Sequence, residues 1–200
     1  MTSRSTRLLT SGVMTKRLTG IAHDLIADVA APGDCVIDAT MGNGHDTLFL
    51  ARRVGHHGHV YALDIQQQAV EQTASRLEQE GVSRHVTLIR GSHAELVDLL
   101  PGSMHGKASA VVFNLGYLPG GEKSITTTAE STLEALDAAL ELLRPGGLIS
   151  LLVYVGHAGG EEEDRAILRW LEESRGKVRW KHHNTDCAGH SPRLYSIVKL

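Results

Sequence analysis

Short apolar runs separated by amphipathic stretches set the rhythm of this chain. Val36 and Ile37 form a brief hydrophobic run, and others follow at 59–64, 86–90, 110–114 and 148–155. Each is short and rich in β-branched residues, the signature of a buried strand. Between them apolar residues recur at helical spacing over about 66–80, 126–143 and 160–174, and an earlier amphipathic stretch covers 18–30. Strands alternating with helices predict a parallel sheet covered on both faces. The tail departs from that rhythm: 177–183 and 193–199 read as two strands joined by the polar run N-T-D-C-A-G-H-S-P, which predicts an antiparallel hairpin at the sheet edge. The expectation is one α/β domain over 1–200, a doubly wound Rossmann-like sheet ending in that hairpin, with a basic segment at about 1–20. No internal repeat, low-complexity segment or interdomain linker is visible.

Composition narrows the class. Two hundred residues at 42% hydrophobic content can bury a sizeable core, and no window is long and apolar enough to cross a membrane. The first residues lack the charged, apolar and small-residue succession of a secretory signal, so a cytoplasmic protein is expected. Cys35, at the start of a strand, and Cys187, in a polar loop, give no disulfide framework. The twelve histidines, among them His56, His57, His59, His182 and His183, show no zinc-like spacing, and adjacent residues in a strand face opposite ways, so no metal site is expected. The net charge of -3 hides an uneven distribution. Residues 1–20 carry +4 from Arg4, Arg7, Lys16 and Arg17, residues 175–200 carry +5, and the remainder -12. Basic ends of this kind either meet a polyanion such as tRNA or rRNA or simply aid solubility.

Candidate chemistry begins at the first strand. C-V-I-D-A-T-M-G-N-G-H-D-T, from Cys35 to Thr47, is a strand that breaks into a glycine turn with Asp38 before it and Asp46 after it. Gly42 and Gly44 allow a tight turn and close approach of a ligand, and Asn43 sits between them. The second strand ends at Asp64, 20 residues after Gly44, where a carboxylate can accept both hydroxyls of a ribose; capping the next helix is its plainer alternative. A dinucleotide fingerprint would have a third glycine where Thr47 stands, and Asp46 would repel a phosphate. Carboxylates around the turn suit the amino and sulfonium groups of S-adenosylmethionine better, so that cofactor is preferred to NAD.

The reacting side is expected after the fourth strand, in A-V-V-F-N-L-G-Y-L-P-G-G-E-K-S. Asn114, Leu115, Gly116 and Tyr117 have the shape of the Asn-Pro-Pro-Tyr motif of amino-directed methyltransferases. An amide oxygen and a main-chain carbonyl can accept the hydrogens of an attacking amine while an aromatic ring stacks on its base. The Asn114 oxygen, the Leu115 carbonyl and Tyr117 fit those roles, with Gly116 keeping the loop thin. The bland alternative is an Asn that closes a strand and a Tyr that covers the core.

Together D-A-T-M-G-N-G-H-D-T, A-L-D-I-Q, G-S-H-A-E-L, F-N-L-G-Y-L-P-G-G-E-K-S-I-T-T and V-Y-V-G-H-A-G-G-E-E-E resemble one bacterial family. It was first described as rRNA methylases and is associated with methylation of 5-(aminomethyl)-2-thiouridine in tRNA. Thr40 stands where the general methyltransferase pattern has a glycine, a departure this family shares. The resemblance implies a class I methyltransferase fold and methyl transfer from S-adenosylmethionine to the aminomethyl nitrogen of the wobble uridine. It implies cofactor contacts from Asn43, Asp46, Asp64, Gln66, Ser92 and His93, with Ser92 alternatively a helix cap, and RNA contacts from Lys123, Ser124 and 126–128. His157 and Glu161 are candidates for accepting a proton. The partners so implied are the tRNA anticodon region and no membrane, with a homodimer as one arrangement to test. Enzymes of similar fold acting on rRNA or a small amine, and a catalytically silent nucleotide-binding module, are the competing readings.

Overall fold

The computed structural model describes residues 17–122, 124–183 and 191–200. Seven strands form one sheet in the order β3-β2-β1-β4-β5-β7-β6. They are β1 (Cys35–Asp38), β2 (His59–Asp64), β3 (Val86–Arg90), β4 (Ala108–Leu115), β5 (Leu143–Val153), β6 (Val178–His182) and β7 (Arg193–Lys199). β1 to β5 pair in parallel, whereas β7 runs antiparallel to both β5 and β6. The expected hairpin is therefore an inserted one, since β7 lies between β5 and the edge strand β6. Its connecting residues 184–190, with Cys187, lie outside the described residues, as do 1–16 and Lys123.

Period-two alternation divides the core. In β4, Ala110 and Val112 pack with Val36, Val60 and Leu148 under Ile26 of α1 (Leu18–Val29) and Leu50 and Val54 of α2 (His45–Val54). Val111, Phe113 and Leu115 point the other way, into a larger cluster with Leu136 of α5 (Ala129–Leu142) and Ile167 and Trp170 of α6 (Gly160–Glu173). Burying a side chain such as Phe113 contributes about 1.5–3 kcal/mol, so a strand buried on both faces must be apolar throughout. α3 (Gln67–Gln79) packs on β2, β3 and α2, and a four-residue α4 (Leu96–Leu99) sits against α5.

Boundaries shift by a residue or two at several elements, and the shifts at β5 and α5 have a visible cause. β5 starts at Leu143 rather than 148, running through Arg144-Pro145-Gly146-Gly147 with a register shift against Ala108 and Ala110 of β4. It ends at Val153, which leaves Tyr154 and Val155 in the following turn. α5 starts at Ala129 rather than 126, because Thr128 is its N-cap in a capping box with Ser131 and Thr126 pairs with Tyr117 instead. Among the described residues no helix is long and apolar enough to cross a membrane, and no group of three His, Cys, Asp or Glu is placed to hold a metal ion.

Candidate active site

A cleft of about 1190 Å³ opens where the loops after β1, β2, β3, β4 and β5 converge, beyond the carboxyl ends of the parallel strands. One wall is the glycine turn. Met41 N donates to the Leu63 carbonyl (2.8 Å), Gly44 N to the Met41 carbonyl (2.8 Å) and Gly42 N to Asp64 Oδ2 (3.0 Å). α3 braces the turn from behind: Thr73 Oγ1 donates to the Gly42 carbonyl (3.1 Å) and Arg76 Nε to the Asn43 carbonyl (2.8 Å). Gly44 has φ +76°, and a Cβ there would lie 2.7 Å from Thr73 Oγ1, so both backbone conformation and space require glycine.

The acids divide their labour. Asp64 also accepts from Gln66 N (2.9 Å) and lines the cleft, with burial, opposed by its backbone hydrogen bonds, raising its pKa. Asp46 accepts from His23 Nε2 (2.6 Å) and Asn114 Nδ2 (2.6 Å). Burial pushes Asp46 up, but these hydrogen bonds outweigh it and its pKa is lowered. The His23 ring stacks on Phe49 at 3.8 Å, which fixes it over the carboxylate. Asp38, expected to face the ligand, does not: it is fully buried, accepting from Thr47 Oγ1 (2.6 Å) and Thr40 N (3.3 Å) beneath the turn. Strand parity explains this, since Asp38 shares a face with Val36 and so points at α2. Burial and then the nearby Asp46 push the Asp38 carboxyl up to about 7.

Asn43, Gln66, Ser92 and His93 all reach the cleft. Ser92 also caps, accepting from Ala94 N (3.2 Å) in a capping box with Glu95. His93 is lowered to about 4 by burial, lies 3.3 Å from Ser131 Oγ through Nε2, and meets Phe113 edge-on at 6.3 Å. It therefore offers a neutral ring. Asn43 Nδ2 reaches across to the Pro119 carbonyl (3.3 Å), linking this wall to the next.

The opposite wall is built by the loops after β4 and β5. Asn114 N is held by Thr40 Oγ1 (2.7 Å), and because its Nδ2 serves the acceptor Asp46, its amide orientation is fixed. The Leu115 carbonyl accepts from Tyr154 N (3.0 Å) as the β4–β5 ladder continues, which leaves it one lone pair. Gly116 lines the cleft, and Tyr117 is 41% exposed at its mouth with its ring edge-on to His157 at 6.5 Å. Thr127 N donates to the Gly116 carbonyl (3.0 Å), and Thr126, Thr127 and Thr128 line the cleft. Ser124 does not line it; its hydroxyl donates to Glu122 (2.5 Å), a carboxylate that disfavours a nearby phosphate.

Glu161, expected beside His157, does not line the cleft. It is exposed in an adjoining hollow that His157, Glu162 and Arg165 also line, and the acid that approaches the His157 ring nitrogen is Glu163. The spacing of Glu163 from Ile167 and Trp170 would have revealed it, since positions four and seven apart share a helix face. His23 and Tyr154 were missed as well. His23 stands on the polar flank of a helix with no motif around it, while Tyr154, 40% exposed, directly follows the fifth strand and was absorbed into it.

A model of the family described as "Putative rRNA methylase" matches residues 60–195. The chain belongs to this family. It is 47% identical over 156 residues to a chloroplastic tRNA (mnm(5)s(2)U34)-methyltransferase of Arabidopsis thaliana, an alignment covering 74% of this chain and 56% of that protein. The chain thus spans little more than half of that relative's length. Two solved structures match nearly the whole chain. A "putative rRNA-methylase" from Clostridium thermocellum gives a TM-score of 0.87 at 37% identity, over 94% of this chain and 100% of that one. A "putative methyltransferase" from Streptococcus mutans, solved in complex with SAH, gives 0.81 at 33% identity, over 94% and 100%. The sheet order and these neighbours identify the fold as that of class I methyltransferases.

Proposed function

We propose that the protein is a tRNA methyltransferase that transfers a methyl group from S-adenosylmethionine to the aminomethyl nitrogen of 5-aminomethyl-2-thiouridine at the wobble position, reaching it through the anticodon region. The observation that carries this reading is the meeting, in one cleft, of an acid-flanked glycine turn with Asn114 and Tyr117 at the end of β4. The 47% identity to a methyltransferase named for that wobble nucleoside supports the substrate.

The residues present fit the cofactor. Asp64, anchored by two backbone N–H groups, keeps lone pairs for ribose hydroxyls, and Gln66 stands beside it. Ser92 and His93 bring one hydroxyl and one neutral ring to the cleft, groups that suit adenine. Asn43 and Asp46 offer an amide and a carboxylate to the amino-acid end, and a carboxylate there favours a cationic group over a phosphate. When bound, S-adenosylmethionine supplies an electrophilic methyl group.

The chain's own contribution is orientation and charge. An amine attacks only when neutral and in line. With Asn114 Nδ2 committed to Asp46, the amide oxygen is the atom Asn114 can turn to the amine's N–H. The lowered pKa of Asp46 keeps a carboxylate behind that amide, where it favours the positive charge that develops on nitrogen. Tyr117, at the cleft mouth, offers its ring to the uracil base.

The test is methylation of tRNA from cells that make the aminomethyl wobble uridine against tRNA lacking it. Radiolabel from S-adenosylmethionine should enter only the first pool. Label confined to rRNA, or equal in both pools, removes the substrate assignment.

A further inference from the structure

Of the four successive acids that open α6, Glu163 and Asp164 are the two the helix turns into the core, where both are fully buried. Glu163 Oε2 accepts from Thr127 Oγ1 (3.0 Å) and its Oε1 from Thr132 Oγ1 of α5 (2.6 Å). His157 Nε2, on a side chain only 8% exposed, stands 3.9 Å from Glu163 Oε2 and has no hydrogen-bond partner among the described residues. Both limbs of the loop after β4 meet on these two groups. Tyr117, on the outgoing limb, pairs with Thr126 on the returning limb. Thr126 Oγ1 lies 3.4 Å from His157 Nδ1, Thr127 binds Glu163, and the Tyr117 ring rests edge-on against His157.

The protons on this pair are constrained. His157 Nδ1 is 2.9 Å from the Ala158 carbonyl, which can only accept, so Nδ1 carries a hydrogen. Nε2 then presents a lone pair to the carboxylate unless the pair holds one more proton. Two acceptors left facing each other in a buried site are costly, whereas one shared proton turns the conflict into a hydrogen bond after a closure of about 1 Å. The remaining charged neighbour is Asp164, next on α6, which pairs with Arg193 of β7 and accepts from the Tyr195 hydroxyl.

We propose that Glu163 is a positioning residue for methyl transfer: acting through Thr127 and His157, with one proton shared between its carboxyl group and His157 Nε2, it holds the 116–127 loop and Tyr117 in the shape that receives the target base. The substrate part of this inference rests on the function proposed above. Burial raises the Glu163 carboxyl against the opposing hydrogen bonds from Thr132 and Thr127, so the shared proton is held beyond the pH at which a free carboxylic acid gives it up, and the loop loosens when it is lost as pH rises.

Glu163→Gln imitates the protonated acid, since its amide can donate to Nε2 while its oxygen accepts from a threonine. Glu163→Ala removes every contact. The experiment measures kcat and KM for tRNA from acidic to alkaline pH and amide exchange of the 116–127 segment, with SAH affinity as the check on folding. Glu163→Ala should lower kcat/KM about 10- to 100-fold, chiefly through KM, and raise exchange in the loop at unchanged SAH affinity. Glu163→Gln should match the wild type at the acid end of that range and lose the wild-type rise of KM with pH. Wild-type kinetics and loop exchange in Glu163→Ala overturn the proposal, as does a Gln variant that keeps the wild-type pH dependence or is as impaired as the Ala variant. If Glu163→Ala does not fold, the Gln variant decides. If the wild type proves inactive on tRNA, loop exchange and its pH dependence still test Glu163, so the two readings fail separately.

Discussion

Where carboxylates hold backbone on the cofactor wall, hydroxyls and a histidine hold side chains on the substrate wall. Asp64 fixes the main chain at Gly42 and Gln66, and α3 fixes it at Gly42 and Asn43, so the turn's shape is nearly independent of which side chains face the ligand. The loop after β4 is longer and leans on Thr126, Thr127, His157 and Glu163. A wall for an invariant cofactor can be built once from backbone; on the function proposed above, the facing wall receives a base carried on RNA and needs exposed groups such as Tyr117 and Tyr154. Asp46 and Asn114 form the seam between the two.

The largest expected effect tests whether the cofactor wall is braced by a protonated acid. The Asp38 carboxyl is raised from 3.8 to about 7, so the folded state binds the proton more tightly than the unfolded chain. Its contribution is fully present below the unfolded pKa and lost as pH rises through about 7, by up to about 4 kcal/mol. Asp38→Asn keeps a neutral side chain in place and should lack that loss. Denaturant unfolding of both proteins across pH should give a stability difference that grows in the variant's favour between about pH 4 and pH 7. A difference that does not vary with pH would falsify the brace.

Asn114 probes the seam. Asn114→Ala should slow the chemical step on the order of a hundredfold, about 2.7 kcal/mol, while S-adenosylmethionine affinity changes little. Single-turnover rates at saturating tRNA, with calorimetry of the cofactor, separate the two. An equal loss in both would move Asn114 onto the cofactor wall.

Asp64 should show the opposite pattern. Asp64→Ala removes charge-assisted acceptors from the ribose and should weaken S-adenosylmethionine by about 1–3 kcal/mol with kcat at saturation nearly kept. Unchanged affinity would mean that Asp64 serves the turn alone.

Why one wall was more legible than the other follows from what sequence can encode. Strands buried on both faces must be apolar, so the runs around Val36 and at 110–114 announced themselves, while the half-buried 59–64 and the partly exposed edge strand 86–90 were legible from their apolar and β-branched residues. Asp64 could be found because a strand end and a fixed distance from a glycine turn define it. Asp38 was misdirected although the alternation with Val36 encoded its facing, because an acid beside a glycine turn invites a ligand role. Glu161, Glu162 and Glu163 are identical in kind and adjacent, and only the docking of α6 through Ile167 and Trp170 selects which enters the core. The start of β5 was hidden by Pro145, Gly146 and Gly147, which read as a turn but pass as an irregular strand beside β4.

Tyr117 carries the smallest predicted effect and the sharpest test of the substrate wall. Its ring is exposed at the cleft mouth and seated on His157, so removing it should leave both the cofactor wall and the Asp46–Asn114 seam intact. Base stacking on an aromatic ring is worth about 1–3 kcal/mol, which predicts a rise of roughly tenfold or more in the KM for tRNA for Tyr117→Ala, with kcat and S-adenosylmethionine affinity close to wild type. Tyr117→Phe keeps the stacking face and should restore KM. If Phe is as impaired as Ala, the hydroxyl rather than the ring matters, and the wall recognises its substrate by hydrogen bonding. If Ala lowers cofactor affinity as much as it raises KM, the loop after β4 closes over the cofactor as well, as the Asn43–Pro119 contact across the cleft would allow, and the two walls act as one.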